Sequence, residues 1–137
     1  YLTVQVRQNS KALELQNQFA AAQIMQARTD TSMYFLSSMV SSSLNMKTAF
    51  ELMSVKETDS VDGFSAEDKD RIFFILQMQR GMFENLYDQN KRGLLTEGYY
   101  DGAPTKNLKT IAGAFLAFKT PMSNEFETEV RRVLALP

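Results

Sequence analysis

Glu84 and Asp88 lie four residues apart in the stretch MFENLYDQNKR. On a helix that spacing puts both carboxylates on one face, with Arg80 one turn before Glu84. A buried pair of this kind can move protons or help hold a divalent metal. A carboxylate enzyme built on it needs a third acid, and the acid-rich stretch 51–70 supplies candidates from Asp59 to Asp70. The plainer reading is a polar helix face on which Arg80 pairs with Glu84. Di-metal bundles ordinarily add Glu-x-x-His pairs, and this chain contains no histidine.

Calcium loops fare no better. DQNKRGLLTEGY has Asp88, Asn90 and Gly93 in the right places, but Arg92 takes a ligand position and Tyr99 stands where a bidentate glutamate belongs. TDSVDGFSAEDK begins on Thr58 and ends on Lys69. No metal site and no cofactor are expected. What remains near the end of that helix is a recognition patch, joining polar groups to aromatics: Glu84, Tyr87, Asp88, Arg92, Tyr99 and Tyr100. Five methionines, Met25, Met33, Met39, Met46 and Met53, recur at six to eight residues. They either pack a core or line a soft groove for an apolar helix or small apolar ligand.

Composition removes whole classes of chemistry. There is no cysteine, so disulfides, thiolate metal sites and cysteine nucleophiles are out; without histidine, so are imidazole sites and Ser-His triads. No phosphate-binding loop, dinucleotide fingerprint or hydrolase elbow occurs. Fifteen basic residues nearly balance sixteen acidic ones, and a net charge of -1 gives no footprint for nucleic acid. The 137 residues are 44% hydrophobic, enough for one core, and the reading is a single domain over 1–137. No stretch of the sequence approaches the ~18 to 20 apolar residues of a membrane span.

The elements that must position the patch are helices. Val6, Leu13, Ala20, Ala27 and Tyr34 fall seven apart, with Ile24 on the same side. This predicts a helix from Val6 to about Tyr34, reaching Met39 at most, with its stripe packed into the core; a dimerising coiled coil is the alternative. Serines 41 to 43 predict a break before a short helix over 44–53. Ser65 with Glu67 and Asp68 marks the start of a long central helix that runs to Gly93. Ile72, Leu76, Gln79, Phe83 and Leu86 trace its inner side, and Gly81 suggests a close helix crossing. A short turn ends at Gly102 and Pro104. A further helix buries Leu108, Ile111, Ala112, Phe115 and Phe118 and is broken by Pro121. Ser123 then caps a last helix that buries Phe126, Val130, Val133 and Leu134. The fold class is all-α: an irregular bundle of about five to six helices around a long central one.

Three stretches carry a resemblance. YLTVQVRQNSKALELQNQF, through Gln5, Asn9, Ala12 and Leu13, is similar to the segment leaving the membrane in a group of uncharacterised bacterial proteins. Those proteins have one N-terminal transmembrane helix followed by an all-helical domain. MFENLYDQNKRGLLTEGYY resembles their aromatic-Glu-Asn-x-Tyr stretch and Gly-Leu-Leu turn through Glu84, Asn85, Tyr87, Gly93, Leu94 and Leu95. MSNEFETEVRRVL resembles their closing helix, although Phe115 and Phe118 stand where tryptophans are usual. The resemblance implies a membrane helix before Tyr1, a membrane-proximal start at residues 1–12, and an address at the bacterial inner membrane. Arg7 and Lys11, the first charges outside, favour the cytoplasmic side.

The expectation is a non-catalytic, membrane-anchored helical domain that binds a protein partner or a small apolar ligand. The alternatives are a carboxylate or metal-dependent enzyme, and an oligomerising module that forms a homodimer along the first helix.

Overall fold

A computed structural model describes residues 1–137, apart from the side chains of Ser38 and Val40. Five α-helices follow one another: α1 (Leu2–Val40), α2 (Ser43–Leu52), α3 (Ala66–Lys91), α4 (Ala103–Ala117) and α5 (Asn124–Leu134). There is no strand among the described residues. The fold is all-α and irregular, as the periodicities predict. The chain divides into two compact units, Tyr1–Met33 and Tyr34–Pro137.

The first unit is helix α1 as far as Met33. Its local support comes from within the helix: Gln26 donates to Asp30 at 2.8 Å, and the Thr31 hydroxyl donates to the Ala27 carbonyl at 2.9 Å. The expectation that its stripe packs into a core is corrected. Val6 and Leu13 are each 58% exposed, and Ala20 and Ala27 are exposed as well. One helix has nothing within its own unit to bury against.

The membrane expectation is corrected too. No helix among the described residues is long and apolar enough to cross a membrane. At 39 residues α1 has the length, but Arg7, Lys11, Glu14, Arg28, Asp30 and many amides break its apolar runs. Charges spread along a helix forbid the ~20 consecutive apolar residues that a span needs. The membrane-anchored function, the membrane as partner, and the inner-membrane address with its cytoplasmic side therefore lose their support.

The second unit holds a core of Leu52, Ile72, Leu76, Leu108, Phe115, Phe126, Val130 and Val133, all with essentially no exposed surface. Each such side chain contributes roughly 1.5–3 kcal/mol by burial. α4 packs against both α3 and α5, and α3 packs against α2. Helix starts follow hydroxyl caps: Ser42, Ser65 and Ser123 accept from the amides of Asn45, Asp68 and Phe126 at 3.3, 3.1 and 3.2 Å. Pro104 lies in the first turn of α4, where its missing N–H costs nothing, so it begins that helix instead of closing the turn before it. α3 stops at Gly93, whose φ of 71° is open to glycine without strain.

The close backbone approach is elsewhere than the sequence suggests. Space around Gly81 is open, with nothing within 4 Å of an added Cβ. At Gly113 an added Cβ would stand 2.3 Å from the Val55 carbonyl oxygen. Glycine there lets the loop after α2 lie directly on α4.

Candidate functional site

The six residues of the predicted patch separate into three groups. Tyr87 and Tyr100 come together: their rings are 6.2 Å apart and tilted by 52°, and Tyr87 also lies 6.0 Å from the Phe126 ring. Glu84 sits three residues before Tyr87 on α3 and faces the start of α5. Asp88 and Arg92 pair with each other at 2.9 Å on the surface. Tyr99 is 46% exposed, and its carbonyl accepts from the Gly102 amide at 3.2 Å in a turn.

What gathers Glu84, Tyr87 and Tyr100 is α5, which supplies residues that the sequence reading passed over. The Ser123 hydroxyl donates to Glu84 Oε1 at 2.6 Å while it caps α5. Arg80 Nη1 donates to Glu84 Oε2 at 2.8 Å. One residue pair further along, Tyr87 Oη lies 3.5 Å from Glu125 Oε1, and Lys91 Nζ donates to the same oxygen. Deepest of the three, Tyr100 Oη donates to Glu129 Oε1 at 3.2 Å. Arg132 holds both oxygens of that carboxylate, through Nε at 2.8 Å and Nη2 at 2.6 Å.

The electrostatics follow from this geometry. Burial works to raise the Glu84 carboxyl, but the Ser123 hydroxyl and Arg80 outweigh it and hold the group below its ordinary value. Burial pushes the Tyr100 phenol far up, and the Glu129 charge adds to the effect. Burial also raises Tyr87, helped by the charges of Glu125 and Glu129. The hydrogen bond to Glu129 raises Arg132. Every carboxylate in the row is a committed acceptor and every phenol stays protonated.

Chemically, this row is a clamp that fixes α5 to α3 and to the loop after it. Glu84 and Asp88 each serve an arginine. Asp59 caps its own loop, accepting from the Lys56 amide at 2.8 Å. No group of three side chains able to hold a metal ion occurs among the described residues.

Glu129 could have been found from the sequence. Phe126, Glu129, Val130 and Val133 share one face of α5, so a charge falls inside an apolar stripe. A carboxylate in that position must find donors or stay uncharged.

The apolar ligand surface is also dispersed. Met39 is buried, while Met25, Met33, Met46 and Met53 are exposed. Surface grooves among the described residues of the second unit include two lined in part by apolar side chains. One, of about 600 Å³, runs between the loop after α2 and α4, past Met53, Val55, Lys106, Lys109 and Gly113. The other, of about 310 Å³, is lined by Val61, Phe73, Leu76 and Phe118.

No family model, curated protein or solved structure matches the chain. The resemblance to single-span bacterial proteins is corrected on the same ground as the membrane address: no described helix can be their span.

Proposed function

We propose that this chain is a non-catalytic interaction domain whose docking element is helix α1. The single observation that carries the reading is the exposure of large apolar side chains along the first unit. Leu13 is 58% exposed, Leu15 65%, Phe19 66% and Met25 58%. A helix owes most of its stability in water to an apolar face packed on something else. These side chains point to different sides of the helix, so apolar surface is left around it with nothing in its own unit to cover it.

The second unit supports the reading from the other side. Its candidate reactive groups are engaged in holding helices together, with Glu84 tied to Arg80 and Ser123 and Glu129 tied to Tyr100 and Arg132. It serves as the folded body that carries the docking helix.

Helicity measured by circular dichroism against temperature and concentration tests this. In dilute solution the reading expects a gradual, low-temperature loss of the α1 signal ahead of one cooperative transition from the second unit. Raising the concentration of a binding partner, or of the chain where it self-associates, moves the first loss upward. A single cooperative transition in a dilute monomer, unmoved by concentration, contradicts the reading.

A further inference from the structure

We infer that the cleft between the first half of α3 and the end of α4 binds a small aromatic carboxylate. The inference lies within the second unit and is independent of α1. The cleft holds about 310 Å³, at the lower end of the range for small-molecule sites. Leu76, itself buried, and the Phe73 and Phe118 rings give it apolar walls. Phe118 is held by the edge of Phe64, with ring centres 5.3 Å apart, so that wall is preformed. Phe73 is 50% exposed and leaves ring surface uncovered.

Three polar side chains share the cleft with those rings, Lys69, Lys119 and Thr120, and none has a side-chain partner among the described residues. Thr120 is 8% exposed, yet its hydroxyl makes no hydrogen bond. Buried hydroxyls ordinarily make one. Thr48 and Thr105 are buried to the same degree and donate to the Leu44 and Tyr100 carbonyls at 2.9 and 2.6 Å. The Thr120 oxygen is not sealed in, and the residue lines the cleft, so its open donor serves that space. Neither ammonium joins an ion pair, and no carboxylate lines the cleft. Two unpaired cations and a free hydroxyl beside aromatic rings complement an oxyanion on an aromatic body. The larger groove past Met53 lacks this set: Glu57 lines it, and Lys109 donates to the Leu136 carbonyl.

The backbone points the same way. Lys119 has a φ of 52°, the one positive value at a non-glycine residue among the described residues. It closes α4: its amide donates to the Leu116 carbonyl at 3.2 Å, and the Thr120 amide to the Phe115 carbonyl at 2.9 Å. This helix ending usually takes glycine at the left-handed position. A lysine one turn earlier would serve the helix dipole without that strain. Its place at 119 puts a cation on the wall of the cleft instead.

Amide NMR of the full chain titrated with naphthoate tests the inference, with naphthamide as the uncharged probe of the same shape. Shifts are expected to cluster at residues 69–76 and 117–120, and naphthamide to bind at least about tenfold more weakly. Thr120→Val keeps the shape of the side chain and removes a hydroxyl that no other group uses. Its urea midpoint is expected to hold while the dissociation constant for naphthoate rises at least about threefold. Lys119→Gly is expected to raise the urea midpoint, by relieving the turn, and to raise the dissociation constant at least about fivefold. A firmer fold with weaker binding is not the result for a lysine that only ends a helix. No shift at millimolar naphthoate overturns the inference, as do shifts confined to the groove past Met53. Equal binding of the two probes overturns it, and so does an unchanged dissociation constant in both variants. A Thr120→Val variant that loses stability overturns it too, since the hydroxyl then serves the fold.

Discussion

Tyr100 Oη donates to Glu129 Oε1 at 3.2 Å, and both side chains are buried, with Arg132 closing the carboxylate from the other side. Removing a donor from a buried charge costs more than removing the whole arrangement. Arg132→Ala therefore destabilises the chain by about 2 kcal/mol, discounted because the guanidinium is half exposed. Tyr100→Phe costs about 1 kcal/mol. Glu129→Leu combined with Arg132→Met recovers most of the arginine loss. Urea unfolding of the three variants checks the order.

Glu84 gives the stability a pH dependence of known sign. Its carboxyl is held below the ordinary value of 4.5 in the folded state, against the effect of burial, by Ser123 and Arg80. A lowered folded value means a contribution that is complete above the unfolded value and is lost as pH falls through the folded one. Glu84→Gln keeps an acceptor for Ser123 and removes the titration. Wild type is expected to be the more stable near neutrality, and the gap narrows as pH drops below about 5. Urea midpoints measured across that range read the difference directly.

Two glycines give opposite outcomes for one substitution. Gly113→Ala drives a Cβ to 2.3 Å from the Val55 carbonyl, a backbone atom with no rotamer to move aside. The expected loss is about 2–4 kcal/mol. Gly81→Ala enters open space within α3 and gains about 1 kcal/mol from helix propensity. Thermal melts of the two variants should shift in opposite directions.

The local signals were legible and the distant partners were not. Ser65 and Ser123 announce the starts of α3 and α5, and the spacing of Phe126, Val130 and Val133 gives the buried face of α5. Each of these depends on residues within two turns of one another. Pro104 shows the limit of such cues, since proline near a glycine closes a turn or opens a helix equally well. The patch was legible only in its α3 half. Tyr87 and Tyr100 were found as aromatics, but Glu125 and Glu129 lie 38 and 29 residues beyond them. Spacing tells which residues share a face and leaves open which helix the face meets. For the same reason the stripe on α1 is legible as apolar, while the exposure of its side chains is not.

The central claim is that α1 requires a partner. Residue-resolved amide exchange on the full chain, at a high and a low concentration, tests it most directly. The account predicts that amides from Val6 to Ala27 exchange much faster than those of α4 at high dilution, and slow by at least tenfold where α1 is occupied by a partner. Protection of α1 equal to that of α4 in a dilute monomer would contradict it.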